Sequence, residues 1–217
     1  MAEYDKIGYS AEGINYIPNA LSEDLISLFS NYLDSIDEEG NIFESDISNQ
    51  EVVNGIGEYM EIVKQMVIEN YTDKYGVPIK DRPAFRLHLT KWGMLNGFSM
   101  PVHSDAETPD GTAAVRGGFY LNNITTLTYI TTDYDGGNIF FPDFDVEFSP
   151  EAGSLLMFPS RYRHGIRKLE GGRRYTVPMF FSFDIENDLA EEDQSPINDT
   201  NPSDILFHVT EKYSKNY

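Results

Sequence analysis

The sequence predicts a mainly β protein with supporting helices, an α+β arrangement in which two helices precede an antiparallel β core. Three observations predict it. Two stretches in the first third carry apolar residues at helical spacing. After Pro83 the apolar spacing drops to two. From there to about residue 184, short apolar runs alternate with clusters of Gly, Pro, Asn and Asp. Such a series of short strands suits a sandwich, a jelly roll or a barrel, with the helices covering one face of a sheet.

Each element follows from its own residues. Ser22 can cap a helix through Ile36, whose apolar stripe is Leu25, Leu28, Phe29, Tyr32, Leu33 and Ile36. Leu21 and Ile26 occupy the two positions of a hydrophobic staple. A second helix spans about Glu51 to Lys74, with Val52, Ile56, Tyr59, Met60, Val63, Met66, Val67 and Tyr71 inward, and Gly76 is suited to stop it. "AFRLHLTKW" sets Phe85, Leu87 and Leu89 against Arg86, His88 and Thr90, as in a half-buried strand with His88 on its surface side. "AVRGGFYLNN", "TTLTYITT", "GNIFFP", "DVEFSP", "SLLMFP" and "RRYTVPMFFSF" continue the series. Residues 184–202 are acidic and polar, and Ser203 can cap a short helix over 203–215. We treat 1–217 as a single domain: helical support over 1–80, a β core over 81–184, and a polar C-terminal segment with a short helix over 185–217.

With 36 acidic against 16 basic residues, the formal charge is −20. Such a surface repels phosphate backbones, so nucleic acid is not expected as a partner. No apolar run reaches the length of a membrane span, and the start has no basic segment followed by an apolar one. The chain has no cysteine, which excludes disulfides, zinc ribbons and iron–sulfur clusters. These features lead us to expect a cytoplasmic protein without a membrane partner.

His103 and Asp105, in "MPVHSDAE", are two apart and so can point the same way from an extended segment. In so acidic a chain the pair alone carries little weight. His88 and His208 read as surface or packing residues, whereas His164 follows the buried run "AGSLLMFPSRYR", at a strand edge that can face a barrel mouth. Two histidines and a carboxylate on one side of an iron form a facial triad that leaves positions open for further ligands. Soon after His164 comes "GGRRYTVPMFF", with Arg174 ten residues on. An arginine on that strand can grip a carboxylate with two parallel hydrogen bonds. Arg173 and Arg174 must face opposite ways. Arg173 shares parity with Tyr175, Val177, Met179 and Phe181, the more apolar set, and parity alone therefore favours Arg173 as the inward residue.

Together, "WGMLNGFSMPVHSD", "TLTYITTDYDGGNIFFP", "EAGSLLMFPSRYRHGI" and "GGRRYTVPMFFSF" resemble, in content and order, the 2-oxoglutarate/Fe(II) dioxygenases, specifically the prolyl 4-hydroxylase-like group. The resemblance implies a double-stranded β-helix, a jelly-roll or cupin-like barrel flanked by the N-terminal helices. It implies Fe(2+) held by His103, Asp105 and His164, and 2-oxoglutarate as cosubstrate with Arg174 on its distal carboxylate. It therefore opposes the parity reading, and we adopt Arg174 because a bulge after Gly171 and Gly172 would spoil parity counting. Tyr129 matches a tyrosine that hydrogen-bonds the same carboxylate, and Trp92 lies where relatives place an aromatic near the cosubstrate; packing is the competing role for each. Met100, three residues before His103, stands where the family more often has an aromatic, which bears on pocket shape.

The implied reaction consumes dioxygen and 2-oxoglutarate, hydroxylates a substrate C–H, and releases succinate and carbon dioxide. Ascorbate is a candidate accessory cofactor. A prolyl residue in a peptide or protein is the first expectation for the substrate. The alternatives are a same-fold oxygenase acting on a small molecule or free amino acid, and a non-catalytic jelly-roll binding module. Residues 106–118 are suited to a lid over the substrate or to a plain surface connection, and Arg161 and Arg163, which flank His164, to an acidic substrate or to solvent.

Overall fold

The computed structural model describes residues 6–37, 39–83, 87–93, 98–106 and 123–184. Two helices form where apolar side chains recur every three or four residues. Helix α1 (Glu23–Asp34) is capped by Ser22, whose hydroxyl accepts the Leu25 N–H at 3.3 Å. It buries Leu25, Phe29 and Leu33 and ends two residues short of the expected Ile36. There the Lys91 ammonium donates to the Leu33 carbonyl at 2.8 Å and to that of Ile36, taking over acceptors that a continuing helix would have used.

Helix α2 (Gln50–Val67) is capped by Asn49, which accepts from the N–H groups of Glu51 and Val52. The predicted continuous helix to Lys74 instead passes through a π-helical turn over Ile68–Thr72 before a final turn, Asp73–Tyr75. Tyr71 stays on the buried face, its hydroxyl donating to the Gly13 carbonyl at 2.8 Å. Gly76, at φ +66°, ends the run in the left-handed conformation that favours glycine.

Among the described residues there are thirteen strands, in chain order β1 (Asn15–Ile17), β2 (Gly40–Phe43), β3 (Ile79–Pro83), β4 (His88–Trp92), β5 (Met100–His103), β6 (Ile124–Tyr129) and β7 (Tyr134–Gly136). Then come β8 (Ile139–Phe141), β9 (Val146–Phe148), β10 (Leu155–Pro159), β11 (His164–Ile166), β12 (Leu169–Gly172) and β13 (Arg174–Phe183). The larger sheet runs β1-β10-β6-β13-β4-β2, with β3 also on β13; the smaller runs β5-β11-β8-β9; and β12 pairs with β7. The pairings are antiparallel. This is the expected α+β double-stranded β-helix.

The larger sheet has two different faces. Tyr175, Val177, Met179, Phe181 and Phe183 of β13 join Leu89 and the buried stripes of α1 and α2 in the main core. The opposite face meets the smaller sheet over a second core of Tyr129, Ile139, Phe141, Leu156, Phe158 and Tyr162. The barrel interior is the latter.

Several expectations change. Strands β1 and β2 have no counterpart in the sequence pattern. Their three or four residues are too few to show alternation, and all are half-buried. His88, expected at the surface, is buried, and its ring lies 5.3 Å from that of Phe43. Its strand sits between β13 and β2 and is covered on both faces, as its run of buried residues records. The segments "AVRGGFYLN" and 107–118, the residues 84–86, the acidic stretch from 185, His208 and the helix over 203–215 lie outside the described residues. Among the described residues, no helix is long and apolar enough to cross a membrane.

Candidate metal centre

Strands β5 and β11 bring the two histidines together. They pair antiparallel with His103 opposite His164, and the imidazole centroids are 4.4 Å apart. Asp105 follows in the turn after β5, where its N–H donates to the Ser160 carbonyl at 2.9 Å. The Ser104 hydroxyl donates to the same carbonyl at 3.0 Å, so the turn is laced to the end of β10. His103 Nε2 lies 3.4 Å from Asp105 Oδ1, and His164 Nε2 lies 3.6 Å from Asp105 Oδ2. One donor atom from each of the three residues lies within 4.8 Å of the others.

Both rings are held by the same device. His103 Nδ1 is 2.8 Å from the Pro101 carbonyl and His164 Nδ1 is 3.0 Å from that of Tyr162. A carbonyl only accepts, so each Nδ1 carries a proton and each Nε2 faces Asp105. Phe158 and Phe141 pack against the His164 ring, with centroids at 4.7 Å and 5.8 Å.

The carboxylate is held as firmly. Thr125 Oγ1 donates to Asp105 Oδ2 at 2.7 Å and lies 2.8 Å from Ser160 Oγ. The Thr125 proton goes to the carboxylate, which only accepts, so Ser160 donates to Thr125. Burial works against the Asp105 charge, but the two histidines and Thr125 outweigh it and hold the carboxyl down to about 2. Burial pushes the His164 imidazole down to about 4, against the pull of Asp105, and so keeps it neutral and able to ligate. For His103 burial is outweighed by the hydrogen bond and charge of Asp105, and its affinity for a proton rises.

Beyond this triad, in the same barrel, lies Arg174, only 1% exposed. One of its terminal nitrogens is 3.4 Å from the Tyr129 hydroxyl, and its Nε is buried with no hydrogen-bond partner. No carboxylate among the described residues pairs with it. Burial pushes the Tyr129 hydroxyl far above the usual phenol range, against the Arg174 charge, and keeps it a donor. Arg173 is different: its side chain is half-exposed and pairs with Asp34 on α1. The parity reading that favours Arg173 is therefore inverted. The apolar set of β13 packs on the helices, and the more polar set faces the barrel.

Trp92 stands opposite Arg174 in the β13–β4 register and stacks on Phe98 at 4.4 Å, with 12° between the planes. Arg163 pairs with Asp143, and Arg161 donates to the Gly8 carbonyl. Sequence reasoning missed Thr125 and Ser160. Thr125 shares the parity of Tyr129 on β6, which was the available signal; Ser160 lies in a turn and gave none.

The donor set fits a divalent iron: two imidazole nitrogens and an ionised carboxylate converge from one side. The orphaned Arg174 nitrogen fits an entering carboxylate.

The family model for the 2OG-Fe(II) oxygenase superfamily matches residues 87–182. No curated protein matches the sequence. Among solved structures, a Pseudomonas putida prolyl-4-hydroxylase superposes with a TM-score of 0.58 at 18% identity, over 83% of this chain and 97% of that one. A Trichoplax adhaerens prolyl hydroxylase in complex with a hypoxia-inducible-factor oxygen-degradation-domain peptide fragment gives 0.58 at 16%, over 79% and 84%. HygX from Streptomyces hygroscopicus, with nickel and 2-oxoglutarate bound, gives 0.54 at 14%, over 78% and 81%. At these identities the likeness is one of fold.

Proposed function

We propose, from the match of residues 87–182 to the 2OG-Fe(II) oxygenase family model, that the chain is a 2-oxoglutarate-dependent dioxygenase using Fe(II) and that it hydroxylates a prolyl residue in a peptide or protein. The observation that carries the site assignment is the convergence of His103, Asp105 and His164, with both Nδ1 atoms already engaged and both Nε2 atoms directed at the carboxylate. These three residues would hold the iron. Arg174 and Tyr129 would hold the distal carboxylate of 2-oxoglutarate, and Trp92 would line the same face. When bound, the iron and cosubstrate couple reduction of dioxygen to oxidative decarboxylation, so one oxygen atom enters succinate and the other the substrate hydroxyl.

The chain's own residues do positional work. Ser160 and Thr125 orient the carboxylate, the two backbone carbonyls fix the imidazole tautomers, and Phe141 and Phe158 exclude water from behind His164. The Arg174 guanidinium, sunk in the barrel, selects a cosubstrate with a second carboxylate. A peptide substrate is supported by the peptide-bound Trichoplax relative of the same fold.

The test is succinate release from 2-oxoglutarate with Pro-containing peptides, free proline and no substrate. Peptide-stimulated release, lost in His103→Ala and in His164→Ala, is the expected result. Stimulation by free proline alone would replace the peptide reading with a small-molecule one. Unchanged turnover in either histidine variant would overturn the ligand assignment.

A further inference from the structure

Strand β7 carries a tyrosine with no role so far in the metal centre or the cosubstrate site. The Tyr134 hydroxyl and Arg174 Nε are both buried and neither makes a hydrogen bond of good geometry, although the guanidinium lies near enough to the phenol to act on it as a hydrogen-bond donor. The two residues close over one point of backbone. Gly137, at φ +63°, sits where a Cβ would stand 3.2 Å from Tyr134 Cε2 and 3.3 Å from Arg174 Cδ. The left-handed backbone favours glycine there, and a Cβ would crowd both the phenol ring and the guanidinium stem. The Arg174 charge acts on both phenols, and Tyr134 acts electrostatically on Tyr129, so the three groups share one site. Burial raises the Tyr134 pKa against the opposing Arg174 charge, and the hydroxyl keeps its proton. Tyr16, near both phenols, accepts the Glu151 N–H at 3.2 Å.

An unmade hydrogen bond on a buried hydroxyl is unfavourable, and two such atoms side by side call for one shared acceptor. A carboxylate is that acceptor, with lone pairs for about four donors. Arg174 offers two N–H groups along one edge; Tyr129, which accepts from Arg174, still has its own proton to donate; Tyr134 offers another.

We propose that Tyr134 is a third donor to the distal carboxylate of 2-oxoglutarate, a positioning residue that sharpens selection of the cosubstrate. The inference rests on the placement of that carboxylate at Arg174 and Tyr129. A water bridging the two orphaned atoms is the rival explanation.

Calorimetry on the Mn(II)-loaded full chain separates these. The probes are 2-oxoglutarate and 2-oxobutyrate, which has the same chelating head and no distal carboxylate. Wild type should prefer 2-oxoglutarate. Tyr134→Phe should lose roughly ten- to hundred-fold in affinity for 2-oxoglutarate and keep its affinity for 2-oxobutyrate, as expected for one hydrogen bond to a charged group. A wild type without preference would overturn the carboxylate placement itself. A wild type with preference, beside a Tyr134→Phe variant that retains all of it, would overturn the role of Tyr134 alone. In wild type carbon-labelled at the tyrosine ζ position, the Tyr134 resonance should move with 2-oxoglutarate and stay with 2-oxobutyrate. That reading holds even if the variant does not fold, and equal movement with both ligands would count against the inference.

Discussion

Replacing Thr125 with valine removes one hydroxyl and keeps the shape. In the native protein the proton order is fixed: Ser160 Oγ donates to Thr125 Oγ1, and Thr125 Oγ1 donates to Asp105 Oδ2 at 2.7 Å. Thr125→Val therefore acts on two groups at once, taking a donor from the carboxylate oxygen and the acceptor from the Ser160 hydroxyl. A hydrogen bond to a charged group contributes about 1.5–3 kcal/mol, and partners behind a metal ligand typically affect affinity about 10–100-fold. We expect Mn(II) affinity to fall by about that factor. The Asp105 pKa should rise, because one of the groups holding it down is gone. Thr125→Ser should retain most of the affinity, and Ser160→Ala should show a smaller loss, since it removes only the outer link. The assay is Mn(II) titration by calorimetry at fixed pH, with stability followed by urea unfolding. A Thr125→Val variant binding Mn(II) within about twofold of wild type would refute the claim that this hydrogen bond orients the carboxylate, because losing such a partner should weaken binding at least about tenfold.

Arg174→Ala should raise the apparent KM for 2-oxoglutarate by roughly a hundredfold, whereas Arg173→Ala should leave it unchanged and change stability by under about 1 kcal/mol, since its pair with Asp34 is exposed; steady-state kinetics and urea unfolding test both. Lys91→Met should destabilise by about 1–3 kcal/mol, because the carbonyls of Leu33 and Ile36 lose their donor, and loss of protection at the end of α1 in hydrogen exchange is the accompanying sign. Alkali should unfold the protein. Burial raises the pKa of Tyr59, Tyr71 and Tyr129, so their contribution is whole below about pH 10 and declines above it, where the unfolded chain ionises first, by up to about 1.4 kcal/mol per pH unit for each tyrosine. Unfolding free energies that stay level above about pH 10 would contradict this.

The helices were legible because one face of each packs on the sheet and the other meets solvent, so Leu25, Phe29 and Leu33 or Val52, Ile56 and Tyr59 write the period directly. The centre of the sheet was harder to read. On β4, His88, Thr90 and Lys91 are buried beside Leu87 and Leu89, and polarity no longer tells inside from outside. The same difficulty governs Arg173 and Arg174. Apolar residues mark the helix-facing core, while the working interior of the barrel keeps threonines, tyrosines and a charge. The spacing of His103, Asp105 and His164 was visible in the chain; that Thr125 and Ser160 stand behind Asp105 depends on register and turn geometry, which no local pattern records.

The two carbonyl-held imidazoles have one more consequence. Each ring takes its direction from a backbone oxygen two residues earlier on its own segment, and the segments are already zipped together by β5 and β11. The work of assembling the ligand set is thus done when the chain folds rather than when an ion arrives. Loading is then a matter of entry and dehydration, with little rearrangement of the protein, and a loaded chain should exchange one ion for another without passing through a loosened state.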